Sequence, residues 1–436
     1  MNGLQTNGTS TYAAPGYART RRAYTIECAF EYFIALLVAE PFLTKLLLEI
    51  GLDDPTIAII QSLISVAFLF QLAAVFVVQR IANVKRVAAT THLIAQLLFT
   101  SLYLVPFLPF ETEHKKIIVI VCFLLGYFGN YLVTSVIFRW GNSYVDPNKR
   151  ARFAATKEMI SLLTGVVVTF AMSRMIDHFE AQGNLRMGFI LTACIMTVIC
   201  GIDFLCLMLM KNRISEPPKK QDIVPLWQVA KTLFSNRGFV SVVVAYSLWQ
   251  IAYYLLLGSM GTYKQNELAL SVGTVQLINI VGQMGRFTLT RPIALYTSKR
   301  TYADGMLLGI SIAAVSFLLN TFTTPKLWWL VIVFTLVNNF AMAGISQNSM
   351  NIVYNYVEER YFVQASAIKN SICGVAGFLA ALVGGRILGA VQANGNQVLG
   401  VTIYGQQLLS ALAFIFAIIA VVYIHNVLKK QKVIAK

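Results

Sequence analysis

The sequence predicts an all-α integral membrane protein with twelve transmembrane helices in two pseudo-symmetric six-helix bundles. Hydrophobic residues make up 57% of its 436 positions and charged residues only 12%, whereas a soluble domain carries about 25% charged residues. Apolar runs long enough to cross about 30 Å of hydrocarbon recur along the whole chain. In addition, residues 119–174 align without a gap onto residues 331–386.

A transmembrane helix is predicted wherever about 20 consecutive residues are mostly apolar. Twelve such runs occur, at residues 24–47, 56–79, 87–108, 116–138, 153–176, 187–210, 237–260, 272–292, 302–322, 327–350, 366–389 and 400–427. The break after the sixth run holds Pro217, Pro218, Lys219 and Lys220 before an amphipathic stretch. This composition predicts a linker that lies along the membrane surface.

The predicted organisation is a cytoplasmic tail at 1–23, an N-terminal bundle at 24–210, a cytoplasmic linker at 211–236, a C-terminal bundle at 237–427 and a cytoplasmic tail at 428–436. Most Lys and Arg residues are cytoplasmic if the N-terminus is inside, so the positive-inside rule places both termini in the cytoplasm. We expect a multi-pass protein of the cell membrane. Attraction to anionic lipid headgroups explains the net charge of +16, so lipids and not nucleic acid are the expected partners.

The repeat indicates the class of membrane protein. Its identities include polar and charged positions that two unrelated apolar helices would not share by accident: Tyr144/Tyr356, Lys157/Lys369, Gly165/Gly377 and Arg174/Arg386. A long period between two hydrophobic halves is typical of transporters built from parallel repeats.

Catalysis is not expected. The sequence has no G-x-x-x-x-G-K-[ST] phosphate-binding loop, and its six cysteines lie within spans without metal-ligand spacing. We expect no cofactor and no metal. The histidines lie at scattered helix ends, and we expect none of them to pair with a nearby carboxylate as an enzyme would need: His92, His114, His178 and His425.

The eighth span carries a continuous polar stripe on one helix face. The spacing i, i+3, i+7, i+10 and i+14 is occupied by Gln276, Asn279, Gln283, Arg286 and Thr290. Polar groups in hydrocarbon are costly unless they face protein or water, so the stripe predicts a water-filled pathway. The alternative is hydrogen bonding between packed helices.

The seventh span presents Tyr246, Trp249, Gln250 and Tyr253 at i, i+3, i+4 and i+7. Aromatic rings with polar edges can stack on a sugar or another ring while the amide bonds its hydroxyl groups, which favours a ligand-facing role. The alternatives are an interfacial aromatic belt or ordinary core packing.

Polar residues of the fourth and tenth spans are related by the repeat, with Thr134 equivalent to Ser346. Asn130 extends the polar face of the fourth span and Asn339 that of the tenth. Symmetry-related polar positions predict a solute site near the membrane midplane. Arg139 is either a gating residue or a side chain that snorkels to the cytoplasmic surface.

Carboxyl groups in the first span are candidates for proton coupling. Glu27 and Glu31 lie at i and i+4 on one face, and burial disfavours the charged form of such groups. Glu31 is the preferred candidate, with a structural pairing to a neighbouring helix as the alternative. Asp203 in the sixth span is expected to pack or to find a partner on the ninth span.

Two lysines that match across the repeat suggest an inner gate. Lys157 and Lys369 lie near the starts of the fifth and eleventh spans, and Glu158 follows the first of them. Salt bridges there would close the cytoplasmic side. The alternative is snorkelling at the membrane edge.

Twelve spans, two halves, a charged central loop and basic loops after the second and eighth spans resemble the major facilitator superfamily. The loop after the second span matches that family's G-x-x-x-D-R-x-G-R-R motif only in part, because Arg80, Lys85 and Arg86 are present while Val75 and Gln79 replace a glycine and the aspartate. The resemblance implies a gating role for Arg80, and Arg286 completes the predicted gating set.

The resemblance implies a secondary active transporter in which two bundles expose a central site alternately to each side. Our most specific hypothesis is that a monomer carries a small polar organic solute, such as a sugar or glycoside, by proton-coupled symport. A drug or metabolite efflux antiporter is one alternative, although the fifth span has Gly165 without the proline of the antiporter signature G-P-x-x-G-G. A transporter-like solute sensor is the other.

Overall fold

Helices form almost all of the chain in the computed structural model, which describes residues 15–73, 84–145, 150–211, 226–358, 361–398 and 400–433. We number the helices α1 (Pro15–Leu37), α2 (Phe42–Glu49), α3 (Asp54–Ala67), α4 (Val84–Ser101), α5 (Thr112–Asn142), α6 (Arg150–Ala181), α7 (Leu185–Leu209), α8 (Leu226–Ser235), α9 (Arg237–Thr262), α10 (Val272–Ser298), α11 (Tyr302–Asn320), α12 (Leu330–Asn351), α13 (Phe362–Ala393) and α14 (Gly405–Asn426). Two-residue strands, β1 (Gln397–Val398) and β2 (Val401–Thr402), form an antiparallel pair.

Short turns of other helix types continue several of these helices. Turns of 3₁₀ helix occupy Leu102–Phe107, Pro325–Leu327, Ile352–Asn355 and Leu428–Lys430. A π-helical turn at Tyr263–Glu267 directly follows α9. Such π turns are often found at functional sites.

Ten helices in the described part of the chain are long and apolar enough to cross a membrane. The two predicted spans outside this set correspond to α1 and α10, which are 23 and 27 residues long. Both are long enough to span about 30 Å. They are more polar than the other ten, because α1 carries Glu27 and Glu31 and α10 carries Arg286 and Arg291.

The first predicted span, 24–47, is wrong in its boundaries. The helix begins at Pro15, inside the segment predicted as a tail, and ends at Leu37, and α2 begins only at Phe42. Pro41 explains the interruption, because proline lacks an N–H donor and disfavours helical geometry in the preceding residue. The amphipathic stretch of the linker forms α8, which exposes Trp227 and buries Val229 and Leu233.

The first compact unit comprises Met1–Ala39 and Phe76–Lys219. Within it α1 packs on α6 and α7, while α4 packs on α5 and α7. Its core contains large side chains from α1 and α5, including Tyr24, Trp140 and Val133.

The second compact unit comprises Glu40–Val75 and Lys220–Lys436. Its helix α3 packs on α9 and α13, so residues 40–75 belong to this unit by packing, although we assigned them to the N-terminal bundle by chain order. Its core extends from Phe239 in α9 through Phe317 in α11 to Ile424 in α14.

The repeat is visible in the internal packing of each unit. In the first unit the third span packs on the fourth and sixth, and the first span packs on the fifth and sixth. In the second unit the ninth span packs on the tenth and twelfth, and the seventh span packs on the eleventh and twelfth. Equivalent hydrogen bonds recur as well. Tyr144 Oη donates to Lys211 O over 2.7 Å, and Tyr356 Oη donates to Leu428 O over 3.4 Å.

Candidate functional site

A cavity of about 180 Å³ lies within the second unit, bordered by α9, α10, α11 and α12 and by residues that flank α2 and α9. Its polar and charged lining consists of Glu40, Tyr253, Lys264, Asn279, Arg286, Thr335, Asn338 and Asn339. The rest of the wall is apolar: Leu256, Leu257, Met260, Phe317, Phe334 and Met342. Apolar walls with a few convergent polar groups are typical of small-molecule sites.

An ion pair forms one side of this cavity. Lys264 Nζ lies 2.7 Å from Glu40 Oε1, and the two side chains are 4% and 17% exposed. The π turn after α9 carries Lys264 into the protein. A buried ammonium group is stable only with such a partner. The signal for its position is the helical spacing of Tyr253, Leu257, Met260 and Lys264, which continues past the predicted end of the seventh span.

Only part of the polar stripe of α10 lines the cavity. Asn279 and Arg286, two turns apart, lie on the cavity wall. Arg286 Nη2 donates to Ser346 Oγ on α12 over 3.1 Å. Gln276 is buried at 3% exposure, and Gln283 is half-buried. Thr290 Oγ1 donates to the Arg286 carbonyl over 2.7 Å, so its hydroxyl is satisfied within the helix.

Only part of the aromatic face of α9 lines the cavity as well. Tyr253 lines the cavity, but Trp249 is 1% exposed and belongs to the core. Its ring stacks on Tyr253 at 5.4 Å and on Phe317 at 6.1 Å between centroids. Gln250 is buried at 5% exposure. For Trp249 the core-packing alternative therefore describes the geometry, and the indole supports the cavity-lining tyrosine from behind.

On α12, Thr335, Asn338 and Asn339 line the cavity, and two of them carry a buried polar atom without a partner in the described part of the chain. Asn338 Oδ1 and Thr335 Oγ1 are buried and have no hydrogen-bond partner among the described residues. Asn339 Nδ2 donates to the Thr335 carbonyl over 2.8 Å. Gly282 of α10 allows this close approach, since a Cβ atom there would lie 2.5 Å from Asn339 Nδ2. Buried polar atoms without partners mark positions where a solute or water can bond.

The first unit contains a buried cluster of ionisable groups. Glu27, His92 and Asp203 are each 0% exposed, and one ligand atom from each lies within 4.8 Å of the others. His92 Nε2 is 3.1 Å from Asp203 Oδ2, and Gln96 Nε2 is 3.2 Å from the same ring nitrogen. Such a set could share one proton or hold one cation.

This cluster bears on two expectations. We expected no histidine to pair with a carboxylate, and the His92 contact shows that this was wrong. Asp203 was expected to pack or to find a partner on the ninth span; it is buried, but its partner lies on α4. The physical reason is that α1, α4 and α7 are neighbours within the first unit. Glu31, the preferred coupling candidate, is half-buried and lies within electrostatic range of His92, Asp203 and Lys157.

The two repeat-related lysines have tyrosine partners. Lys157 Nζ lies 4.4 Å from the Tyr24 ring centroid and donates to Cys28 Sγ over 3.1 Å. Lys369 Nζ lies 4.5 Å from the Tyr246 ring centroid and donates to the Ser349 carbonyl over 2.6 Å. Both contacts are cation–π interactions, equivalent in the two units. A salt bridge of Lys157 to Glu158 stays a prediction, because the Glu158 side chain lies outside the described residues.

Two predicted solute-site residues of the first unit contact each other. Asn130 and Thr134 lie one turn apart on α5, and Thr134 Oγ1 donates to Asn130 Oδ1 over 3.0 Å. Arg80 lies outside the described residues, as do the side chains of Arg139 and Glu158.

Two related helical units, with a polar cavity inside one of them, define a membrane protein of the transporter class. Residues 28–381 match the sequence model of the Major Facilitator Superfamily, and the chain belongs to this family. It therefore has the family's twelve-helix fold, and it is a transporter by family. No curated protein sequence matches it.

Solved structures are similar to this chain at low sequence identity, which shows the fold alone. A mutant of the nucleoside transporter NupG has a TM-score of 0.72 at 15% identity and covers 93% of this chain and 99% of its own. A mutant peptide transporter POT in complex with sulfate has a TM-score of 0.64 at 12% identity, with 93% of each chain covered. A bacterial homologue of the human lysosomal transporter Spinster has a TM-score of 0.64 at 13% identity and covers 97% and 98%.

Proposed function

We propose that the protein is a secondary active transporter that carries a small polar organic solute by alternating access. The observation that supports this is the cavity in the second unit, where eight polar or charged side chains line a space within a membrane helix bundle. Polar side chains in membrane spans face a water-filled space or each other, and they mark solute pathways.

The lining favours a hydroxylated solute such as a sugar or glycoside. Asn279, Asn338 and Asn339 supply amide donors and acceptors, and Tyr253 supplies a ring on which a flat or apolar sugar face can lie. A volume of about 180 Å³ is close to that of a cavity of about 150 Å³ that holds benzene. A small solute therefore fits better than a drug-sized one. A nucleoside is itself a glycoside, and NupG is a nucleoside transporter, so nucleosides belong among the candidates.

Protons are the proposed coupling ion, with Glu27 and Glu31 as the groups that carry them. Two carboxyl groups and an imidazole meet without solvent exposure at Glu27, His92 and Asp203. An ion pair between His92 and Asp203 leaves Glu27 as a further buried acid, and a buried charge without a partner is costly. Proton binding at Glu27 removes that charge, which gives the site a reason to gain and release a proton during transport.

The proposed placement is the cell membrane, as a monomer, with both termini and the linker in the cytoplasm. The distribution of Lys and Arg along the sequence supports this orientation. Arg80, Arg139, Lys157, Glu158, Arg286 and Lys369 remain the proposed gating residues.

The test has two stages. Purified protein is first screened by thermal shift against sugars, nucleosides, amino acids, organic acids and lipophilic cations, because a ligand that binds the folded state raises its melting temperature. The best solute is then supplied, radiolabelled, to proteoliposomes with an imposed pH gradient. We expect accumulation that collapses when a protonophore is added.

The outcomes separate the rival functions. Counterflow without accumulation would indicate a transporter that is not coupled to protons. Binding without any counterflow would indicate a solute sensor. Hits confined to lipophilic cations, with transport outward against a proton gradient, would indicate an efflux antiporter.

A further inference from the structure

We propose that the transported solute carries a carboxylate group and that Arg286 binds it. This inference rests on the proposed function, because it names the chemical class of the solute that would occupy the cavity of the second unit. It changes the expected solute from a neutral sugar or glycoside to a hydroxylated organic acid.

The charges that line the cavity do not balance. Glu40 and Lys264 are paired at 2.7 Å and cancel each other. Arg286 is the third charged residue of the wall, and within the described part of the chain no carboxylate lies within 4.0 Å of its guanidinium group. Its recorded side-chain partner is the neutral hydroxyl of Ser346. The cavity wall therefore has an excess of one positive charge.

Arg286 is half-buried in the cavity wall, so its guanidinium group is partly shielded from bulk water and has no carboxylate partner there among the residues that the structure describes. Partial loss of hydration makes a charged group favour a partner of opposite charge. Arginine has five N–H donors, and the bond to Ser346 uses one of them. A bound carboxylate would neutralise the charge and accept two parallel hydrogen bonds from the planar fork.

Charge balance favours a carboxylate over a phosphate monoester. A carboxylate brings one negative charge, which matches the excess in the cavity wall. A phosphate monoester brings about 1.5 to 2 negative charges at neutral pH, so it would leave a net charge of the opposite sign in the cavity.

The surrounding groups indicate the rest of the solute. Asn338 Oδ1 is a buried acceptor, and Thr335 Oγ1 is a buried hydroxyl oxygen; neither has a partner among the described residues. Both residues line the cavity, so their side chains are close enough to offer hydrogen bonds to hydroxyl groups of a solute. The combination of one cation, amide groups and a tyrosine ring fits a sugar acid or a similar hydroxylated carboxylic acid.

The experiment compares acids with neutral partners of nearly the same shape. Binding to purified wild-type protein is measured by thermal shift and calorimetry for glucuronate against glucose, lactate against lactamide and nicotinate against nicotinamide, with glucose 6-phosphate as the phosphate arm. We expect at least one acid to bind and its neutral partner to bind at least 10-fold more weakly.

Variants then assign the effect to one residue. Hydrogen bonds to charged groups contribute about 1.5–3 kcal/mol, so Arg286→Gln should weaken acid binding roughly 10- to 100-fold. Arg286→Lys keeps the charge without the fork and should have an intermediate effect. The matched control is Arg291→Gln, which removes an exposed arginine from the same helix and should leave the affinity unchanged.

Several results would overturn the inference. The inference is wrong if the neutral compounds bind as tightly as their acids, or if only the phosphate ester binds. It is also wrong if Arg286→Gln leaves the affinity for the acid unchanged. If that variant does not fold, the comparison of acids with neutral partners on wild-type protein still decides. If neutral sugars are transported and acids are not, the carboxylate inference is wrong but the proposed transport function stands. If neither acids nor neutral solutes bind or are taken up, the proposed transport function is wrong as well.

Discussion

The buried contact between His92 and Asp203 allows a prediction of stability. Both side chains are 1% exposed, and His92 Nε2 lies 3.1 Å from Asp203 Oδ2. Asp203→Asn keeps the shape of the side chain and removes its charge. The size of the resulting loss reports whether the contact is an ion pair or an ordinary hydrogen bond between helices.

The two possibilities differ severalfold in free energy. Removing one partner of a buried ion pair costs about 3–5 kcal/mol, because the other charge is left buried. Hydrogen bonds between membrane helices contribute only about 0.6 kcal/mol on average. Glu27 lies within 4.8 Å of both groups and can partly replace the lost carboxylate. We therefore expect Asp203→Asn to lower the free energy of unfolding by about 3 kcal/mol, the lower end of the ion-pair range.

The measurement is reversible unfolding in mixed micelles with increasing SDS, followed by circular dichroism. Asp53→Asn serves as the control, since Asp53 is exposed and should change the free energy by less than about 0.5 kcal/mol. The double variant His92→Leu with Asp203→Leu should recover most of the loss, because apolar replacement of a whole buried pair is often neutral. A loss below about 1 kcal/mol for Asp203→Asn would refute the ion pair.

Three further predictions address the cavity, the core and coupling. Asn279→Leu should abolish solute binding in calorimetry with nearly unchanged unfolding, because its amide faces the cavity; loss of monodisperse protein instead would indicate helix packing. Trp249→Ala should cost about 3–5 kcal/mol in SDS unfolding, against less than about 0.5 kcal/mol for the exposed Trp227→Ala, and equal losses would contradict the core assignment. Glu31→Gln should keep counterflow in proteoliposomes but lose accumulation driven by a pH gradient; full pH-dependent accumulation would exclude Glu31 from coupling.

The features that the sequence predicted well depend on local composition and on period. Helix positions, the repeat and the family follow from apolar runs and from matches such as Lys157 with Lys369. The placement of Asn279 and Arg286 on one polar face also follows, because residues seven apart on a helix share a face.

The features that it did not predict join distant parts of the chain. Lys264 and Glu40 are 224 residues apart, and nothing in the local pattern of either indicates the other. The His92 contact with Asp203 depends on which helices are neighbours. Trp249 illustrates a related limit: helical period identifies its face, but only the position of Phe317 on α11 determines that the ring is covered.

The polarity of α10 has a consequence for the synthesis of the protein. This helix is more polar than the ten apolar spans described above, and a single arginine near the helix centre disfavours entry into lipid by about 2.5–3.5 kcal/mol. Ser346, the hydroxyl that accepts a hydrogen bond from Arg286, lies 60 residues further along the chain. At about 5–20 residues per second, the ribosome needs roughly 3–12 s to supply it. We therefore expect the translocon to retain α10 during that interval until α12 arrives, so the face that suits a solute pathway also makes insertion of this helix depend on a later one.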